Sequence, residues 1–205
     1  MKLSYAITVY NELEEIQRLI PYLLKHKSEE DEIVVLWDNK GPNDIFNYLA
    51  PFHESLEIQF HQSYFENNFA EWKNKLTAEC SGDFIFQLDA DEYPHQFLME
   101  NIKAIVEAND AEAYWIPRVN TVEGITEEHL TKWNWKVNEK GWIQWPDVQM
   151  RLYKNSPDIE WKGKVHEKIE GYKEYGTLPS EEEFALYHPK TINKQEKQNK
   201  LYETL

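Results

Sequence analysis

Residues 84–94, FIFQLDADEYP, decide the fold, because an apolar run there leads directly into three carboxylates, those of Asp89, Asp91 and Glu92. The run has the length and composition of a buried strand, and its end would lie at the edge of an open α/β sheet, where ligands collect. Two aspartates at i and i+2 on a strand point the same way, so both can face one divalent cation or one phosphate-bearing ligand. The alternative is a solvated acidic turn before a helix, and the rest of the chain decides between the two.

Strand and helix patterns alternate through residues 1–119 and predict a mostly parallel sheet flanked by helices. The expected strands are Lys2 to Val9, Ile33 to Trp37, Leu56 to His61, Asp83 to Leu88 and Ala113 to Val119, with helices beginning near Asn11, Asn43, Asn68 and His95. Parallel strands joined by right-handed crossovers end at one edge of their sheet. The polar residues after these strands, Thr8 to Glu12, Asp38, and Asp89 with Asp91, are therefore expected to meet at one rim.

Composition restricts the class of protein. The chain has 205 residues and 41% hydrophobic content, enough for one core, so we expect a single domain over residues 1–205. There are 37 acidic and 22 basic residues, and the formal charge of -15 argues against nonspecific binding to nucleic acid or an anionic membrane.

The single cysteine, Cys80, cannot form an internal disulfide. With no apolar run of the ~20 residues that a membrane helix needs and no signal peptide at the N-terminus, a cytoplasmic location is expected.

The loop after the first strand, TVYNELEE from Thr8 to Glu15, contains no glycine. Rossmann and P-loop phosphate sites both need glycines so that the backbone can approach the phosphates, and the chain has neither motif. The charge of a bound diphosphate would then be met by a cation held by the strand-end aspartates. The same loop predicts the start of the first helix, with Asn11 as its cap and Glu14 completing a capping box.

Several segments occur in the order and spacing of a known family: AITVYNELEE at 6–15, VVLWDN at 34–39 and FAEWKNKLTAECSGDFIFQLDADE at 69–92. Together they resemble the GT-A glycosyltransferases of family 2, which are inverting enzymes that use nucleotide-diphosphate sugars. The resemblance covers about residues 3–120 and continues more loosely through PDVQMRLYKN, WKGKVHEKI and LYHPKT. It implies a GT-A fold, which is a Rossmann-like α/β architecture with a mostly parallel central sheet flanked by helices, and a bound Mn²⁺ or Mg²⁺.

The resemblance assigns roles to the residues that match the motifs of the family. The expected nucleotide-sugar-binding residues are Thr8, Tyr10, Asn11, Glu12, Asp38, Trp72, Lys73, Asn74 and Asp89. Asp91, as an exposed acid, is expected to ligate the metal ion, and His188 to complete the metal shell; the alternative for His188 is a surface position before a turn. Lys73 replaces the arginine that the family usually has, which keeps the positive charge and loses the planar fork. The expected donor is a UDP-sugar, and the acceptor is not indicated.

An inverting displacement also needs a general base within reach of the acceptor hydroxyl. Asp147, just before a predicted strand, and Glu167 are the two candidates, and either could instead be an ion-pair partner of a nearby basic residue. His166 is either a hydrogen-bonding residue of the site or a structural imidazole. Arg118 and Arg151 could hold phosphate or carboxylate, and ion pairing at the edge of the core is equally expected.

The alternation of strands and helices is lost after Val119. We therefore expect residues 1–119 to form the nucleotide-sugar-binding half and residues 120–205 to form an acceptor-side half, with a strand from Val148 to Tyr153 and a C-terminal helix or tail from Asn193. Four tryptophans between residues 133 and 145 either pad the core or form a platform for a sugar or base.

These patterns predict a metal-dependent, inverting glycosyltransferase whose acceptor is a hydroxyl of a glycan, a lipid-linked saccharide or a modified biomolecule. One alternative is a catalytically inactive sugar- or nucleotide-binding module, which would be expected to lack acids such as Asp38, Asp89 and Asp91. Another is a nucleotidyltransferase, which normally has a glycine-rich, basic loop after its first strand. Transfer to DNA is a further alternative, and the acidic charge of the chain counts against it.

Overall fold

The computed structural model describes residues 1–202 and the side chains of residues 1–200, so the last three residues of the predicted 120–205 half lie outside it. The strands are β1 (Leu3–Val9), β2 (Glu32–Asp38), β3 (Gln59–Ser63), β4 (Phe84–Asp89), β5 (Tyr93–Pro94), β6 (Ala113–Glu123), β7 (Ile143–Lys154), β8 (Glu160–Lys162), β9 (Lys168–Glu170), β10 (Tyr175–Thr177) and β11 (Leu186–Thr191). The helices are α1 (Leu13–His26), α2 (Asn43–Glu54), α3 (Phe69–Ala78), α4 (Gln96–Glu107), α5 (Glu127–Trp133) and α6 (Ile192–Tyr202), with a 3-10 turn at Glu182–Phe184. Within the described residues, no helix has both the length and the apolar character that crossing a membrane requires.

The predicted α/β class with a mostly parallel sheet is confirmed. Nine strands form the main sheet in the order β3-β2-β1-β4-β7-β6-β11-β5, and β10 pairs with β6 outside this path. β1 to β4 are parallel, β11 is parallel to β6, and β7 runs antiparallel between β4 and β6. Strands from both halves of the chain therefore share one sheet.

The alternation of side chains along the strands separates two apolar layers. Tyr5 and Ile7 of β1 face one layer, which also contains the buried faces of α1, α2 and α4. Ala6 of β1 and Val34 of β2 face the other, which contains α3 and the β8–β9 hairpin. Each fully buried aliphatic side chain contributes roughly 1.5–3 kcal/mol. With both faces covered, the loops at the carboxyl ends of the parallel strands are the open part of this sheet.

Two local predictions are wrong. α1 begins at Leu13 and has Glu12 at its N-cap, so Asn11 and Glu14 form no capping box. β4 ends at Asp89, and a turn follows in which the N–H of Glu92 donates to the carbonyl oxygen of Asp89 at 2.9 Å. Asp91 therefore lies in a turn, and the expectation that both aspartates point the same way from one strand is not met.

Candidate active site

The carboxyl ends of β1, β2 and β4 lie side by side. Thr8, near the end of β1, is aligned with Asp89 at the end of β4. Tyr10 and Asn11 are exposed in the loop that follows, and the backbone N–H groups of both donate to the Glu12 carboxylate, at 2.8 and 3.0 Å. Glu12 thus stabilises the turn, and the ring of Tyr10 remains available to a ligand.

Asp38 ends β2 and is buried. Its Oδ1 accepts hydrogen bonds from the backbone N–H groups of Lys40 at 3.2 Å and Phe65 at 3.3 Å, which joins the loops after β2 and β3. Gly41 packs so tightly that a Cβ there would lie 2.1 Å from the carbonyl oxygen of Tyr10. These loops are thus held against the end of β1, and a contact between Asp38 and a base or ribose stays a prediction.

Lys73 projects from α3 beneath the rim. Its Nζ lies 2.7 Å from Glu167 Oε1 and 3.8 Å from Asp89 Oδ1. The same ammonium group lies 4.3 Å from the centroid of the Trp161 ring. Lys73 is buried, so its charge is balanced by one carboxylate from β4 and one from the segment between β8 and β9.

Trp72 and Asn74 make contacts within the protein, and their predicted part in nucleotide binding stays a prediction. Trp72 is buried in the layer formed by α3 and the β8–β9 hairpin. Asn74 accepts a hydrogen bond from the backbone N–H of Trp161 and donates one to the Trp161 carbonyl oxygen, both at 2.9 Å. The amide of Asn74 therefore joins α3 to β8, and of the three consecutive residues only Lys73 reaches Asp89.

Glu92 is the centre of a buried ion-pair network. Arg151 donates to both of its carboxylate oxygens, from Nε at 2.9 Å and from Nη2 at 2.8 Å, and Arg118 Nη1 donates at 2.7 Å. Arg151 Nη2 also donates to Asp89 Oδ2 at 2.6 Å. Burial raises the pKa of Glu92, but Arg151 and Arg118 outweigh burial and hold that pKa well below its ordinary value.

Asp147 lies within β7, not before it as predicted, and is connected to this network. Arg118 donates from Nε at 2.9 Å and from Nη2 at 2.6 Å to its Oδ2. Asn120 Nδ2 donates to the same oxygen at 2.8 Å, and Gln149 Nε2 donates to Oδ1 at 2.7 Å. Burial raises the pKa of Asp147, but Arg118 and these hydrogen bonds outweigh burial, and the net pKa is lowered. The carboxylate is therefore ionised at neutral pH.

Asp91 is largely buried, which corrects the expectation of an exposed acid. Its Oδ2 lies 3.4 Å from His188 Nε2, 3.7 Å from Lys190 Nζ and 3.3 Å from Lys194 Nζ. Burial raises the pKa of Asp91, and the three basic neighbours outweigh burial and lower it. Burial lowers the pKa of His188, although Asp91 acts on it in the opposite direction. His188 is itself buried in β11, and the surface alternative for it is wrong.

The expected divalent cation stays a prediction, and Asp91 and His188 are the residues of this cluster that could ligate it. One carboxylate oxygen and one imidazole nitrogen 3.4 Å apart are suitable ligands for Mn²⁺. Among the residues whose side chains are described, no group of three or more His, Cys, Asp or Glu residues could hold a metal ion, so the other positions would be filled by donor oxygens or water. Lys190 and Lys194 carry positive charge to the same place, which suits phosphate oxygens.

The Trp-rich segment contains two pairs of packed rings. Trp133 and Trp135 have ring centroids 4.8 Å apart, and those of Trp142 and Trp145 are 4.7 Å apart. The second pair packs on Val119 and lines a cavity of about 300 Å³ whose lining includes no residue of the charged cluster. A platform for a sugar or base stays a prediction.

Lys190 and Asn120 were not identified from the sequence as residues of this cluster, whereas His166 was considered there. Lys190 follows His188 at i+2 on β11, so strand alternation is the signal that could have indicated it. Asn120 is aligned with His188 only through the pairing of β6 with β11, which no local pattern reveals. His166, in the loop between β8 and β9, has a positive φ of 57°.

Comparison with known proteins gives a family and a fold. A family model described as glycosyl transferase family 2 matches residues 4–173. The crystal structure of S. aureus TarS 1-349 superposes with a TM-score of 0.62 at 15% identity, covering 92% of this chain and 60% of that one. Its complex with UDP superposes with a TM-score of 0.63 at 15% identity, covering 92% of this chain and 60% of that one. Its complex with UDP-GlcNAc superposes with a TM-score of 0.61 at 14% identity, covering 92% of this chain and 58% of that one.

The chain thus spans 60% or less of the length of these TarS structures. At this level of identity the similarity shows the fold alone. A search of curated proteins found no significant match.

Proposed function

The chain belongs to glycosyl transferase family 2, and from this premise we propose that it transfers a sugar from a nucleotide-diphosphate sugar to an acceptor hydroxyl, with inversion at the anomeric carbon. The observation that carries the proposal is that acids at and after the end of β4 are joined to residues of the second half of the chain. Asp91 lies 3.4 Å from His188, and Asp89 is connected to Asp147 through Arg151, Glu92 and Arg118. Similar structures of S. aureus TarS contain UDP and UDP-GlcNAc. We therefore take a UDP-sugar as the donor.

The charge that develops on the leaving diphosphate is the main demand on the site. Lys190 and Lys194 lie against Asp91, where their ammonium groups can contact phosphate oxygens. A divalent cation held by Asp91 and His188 would supply a Lewis acid for the same leaving group. The exposed Tyr10 and the loops held by Asp38 border the rim where the nucleoside would lie.

We assign the general base to Asp147. Its carboxylate is ionised and part of it reaches solvent, since the side chain is 24% exposed. The acceptor oxygen forms a bond to the anomeric carbon as the bond from that carbon to the diphosphate oxygen breaks, and Asp147 takes the hydroxyl proton. Arg118, Asn120 and Gln149 fix its orientation. Glu167, the other candidate, is the closest counter-ion of the buried Lys73, and its side chain is less exposed, at 15%.

A donor screen with purified protein tests the proposal. Thermal stabilisation and sugar hydrolysis would be measured with UDP-, GDP-, dTDP- and CMP-sugars, with and without Mn²⁺. We expect a UDP-sugar to raise Tm and to be hydrolysed, and Asp89→Asn to remove both effects. Asp110→Asn, which changes an exposed acid, is the matched control.

If none of the nucleotide sugars stabilises the protein or is consumed, the proposed function is wrong. If Asp89→Asn retains both effects, Asp89 does not take part in donor binding or hydrolysis. The cytoplasmic location stays a prediction, since the absence of a membrane-spanning helix among residues 1–202 does not decide it.

A further inference from the structure

A short hairpin over residues 136–144 leads into β7. The backbone N–H of Gln144 donates to the carbonyl oxygen of Lys136 at 2.8 Å, and that of Asn138 donates to the carbonyl oxygen of Trp142 at 3.0 Å. Together with Trp145, this hairpin borders a cavity of about 300 Å³. A cavity of this size lies at the lower end of the range for small-molecule sites, roughly 300–1,000 Å³.

Two amide side chains that line the cavity are oriented by the backbone of the hairpin. Asn138 Oδ1 accepts from the N–H groups of Lys140 at 3.0 Å and Trp142 at 2.9 Å. Gln144 Oε1 accepts from the N–H of Lys136 at 3.0 Å. Among the residues whose side chains the structure describes, neither NH₂ group has an acceptor. Both NH₂ groups are therefore left to donate to the oxygen atoms of a ligand.

Trp145 adds an aromatic surface to these donors. Trp142 is buried and Trp145 is half-buried, with ring centroids 4.7 Å apart and ring planes inclined at 60°. Lys140 Nζ lies 4.4 Å from the centroid of the Trp142 ring, a cation–π contact that helps to hold the pair. An aromatic ring beside hydrogen-bond donors suits a ligand that has C–H groups on its face and oxygens at its edge, which is the chemistry of a pyranose.

The cavity lies close to the proposed general base. Trp145 and Asp147 are two residues apart on β7, so their Cα atoms are separated by roughly 7 Å at most. β4 pairs with β7 only at Leu152 to Lys154, and the hairpin is bridged to β7 at Ile143. Among the described residues, the part of β7 between these points has no strand on that side. A chain-like ligand held in the cavity can follow this edge to Asp147.

The lining also distinguishes a saccharide from other ligands. An alkyl chain needs a continuous apolar lining, which the amides of Asn138 and Gln144 and the ammonium group of Lys136 interrupt. The formal charge of -15 disfavours a nucleic acid. An uncharged ligand rich in hydroxyl groups uses both the ring and the donors.

We propose that the cavity beside Trp145 is a subsite for a saccharide acceptor. One pyranose packs on the Trp145 ring, Asn138 and Gln144 donate to its oxygens, and the next sugar presents its hydroxyl to Asp147. The proposal rests on the proposed function for the role of Asp147, and it names the acceptor of that reaction as a glycan. Binding of the saccharide itself requires neither a donor nor a metal ion.

Titration of the purified protein with cellotriose, maltotriose and triacetylchitotriose tests the subsite. The indole N–H resonances of Trp142 and Trp145, followed by proton–nitrogen NMR, report on the two rings of the cavity. We expect at least one of these trisaccharides to shift both resonances saturably. The indole resonance of Trp133, which does not line the cavity, should not move with them.

Two variants link this binding to the lining residues. Trp145→Ala removes the ring, and we expect the Trp142 resonance no longer to shift. Gln144→Ala removes one NH₂ donor at an exposed position, and we expect the affinity to fall roughly two- to tenfold, as for one hydrogen bond between neutral groups. Trp133→Ala and Gln17→Ala, which change a half-buried tryptophan and an exposed glutamine away from the cavity, are the matched controls. A thermal melt shows whether each variant is folded, and Gln144→Ala keeps the test valid if Trp145→Ala is not.

The absence of a saturable shift with all of the trisaccharides would overturn the proposal. So would an affinity that the folded variants leave unchanged, or shifts caused by hexanol or oligothymidylate and by none of the saccharides. If the donor screen fails and the trisaccharides bind here, the proposed function is rejected and the saccharide site stands. If a nucleotide sugar is hydrolysed and no trisaccharide binds, the subsite alone is rejected.

Discussion

Asp147 and Glu167 are two carboxylates with different surroundings, and this difference separates their roles at the scale of single residues. Asp147 receives hydrogen bonds from Arg118, Asn120 and Gln149 and keeps part of its surface open. Glu167 lies against the buried ammonium of Lys73 and is 15% exposed. The first arrangement fits the general base that we propose, and the second neutralises a buried cation.

Replacing each acid by its amide tests this assignment. We expect Asp147→Asn to lower kcat by roughly 10²- to 10⁴-fold with little change in donor affinity, because a general base acts on the acceptor hydroxyl in the transition state. Glu167→Gln should change kcat less and should lower stability, since Lys73 would lose its closest counter-ion. Steady-state kinetics and urea unfolding of both variants provide the measurements. Near-full turnover by Asp147→Asn would place the base elsewhere.

The position of an acidic residue at the edge of the sheet could be predicted where its motif is local in sequence. The acids of residues 84–94 were found because they directly follow an apolar strand. The role of Glu92 was not predicted, because its partners Arg118 and Arg151 stand 26 and 59 residues away. Breaking such a buried pair typically costs about 3–5 kcal/mol. Glu92 is therefore a structural acid next to functional ones, which a motif of closely spaced carboxylates does not reveal.

At the scale of elements, α6 belongs to the second half of the chain and contacts the start of α1 and the turn after β4. Lys194 on α6 lies 2.7 Å from Glu15 of α1 and 3.3 Å from Asp91. Lys190 at the end of β11 donates to Gln198 of α6 at 2.6 Å. The helix is thus joined to both sides of the proposed diphosphate site.

Lys194→Met tests whether this helix contributes to donor binding. We expect UDP affinity to fall roughly tenfold, the loss expected for one hydrogen bond to a charged group. Lys197→Met, on the exposed side of the same helix, is the matched control and should bind UDP as the wild type does. Calorimetry measures the UDP affinity of the wild type and of the two variants. Equal affinities would show that α6 does not contact the diphosphate.

The elements of residues 1–119 were predictable because each strand and helix has its own periodicity. β7 was predicted too short, and its place between β4 and β6 could not be predicted, since pairing over long sequence separations leaves no local pattern. The same pairing places Asp147 opposite Arg118. α5 lies in the segment after Val119, where no helix was predicted.

At the scale of the whole molecule, the formal charge is -15, and some of the less exposed carboxylates have several hydrogen-bond partners each. Glu32 is an example at the edge of the sheet opposite the active site. It accepts hydrogen bonds from Lys2 at 2.6 Å, Ser4 at 2.6 Å, Gln59 at 3.0 Å and the backbone N–H of Ser81 at 2.6 Å. One carboxylate therefore connects β1, β2, β3 and the loop before β4.

Acid should destabilise the molecule through such groups. Burial raises the pKa of Glu32, but the hydrogen bonds from Lys2, Ser4 and Ser81 outweigh it and lower the pKa from 4.5 to about 2. Because the folded state binds this proton less tightly than the unfolded state, Glu32 contributes its full stability above pH 4.5, and the contribution is lost as the pH falls toward 2. We expect the free energy of unfolding to decrease over this range, and Glu32→Gln to be less stable at pH 7 and to show a smaller decrease. Urea unfolding at a series of pH values measures both slopes, and equal slopes for the two proteins would show that Glu32 does not contribute to the acid sensitivity.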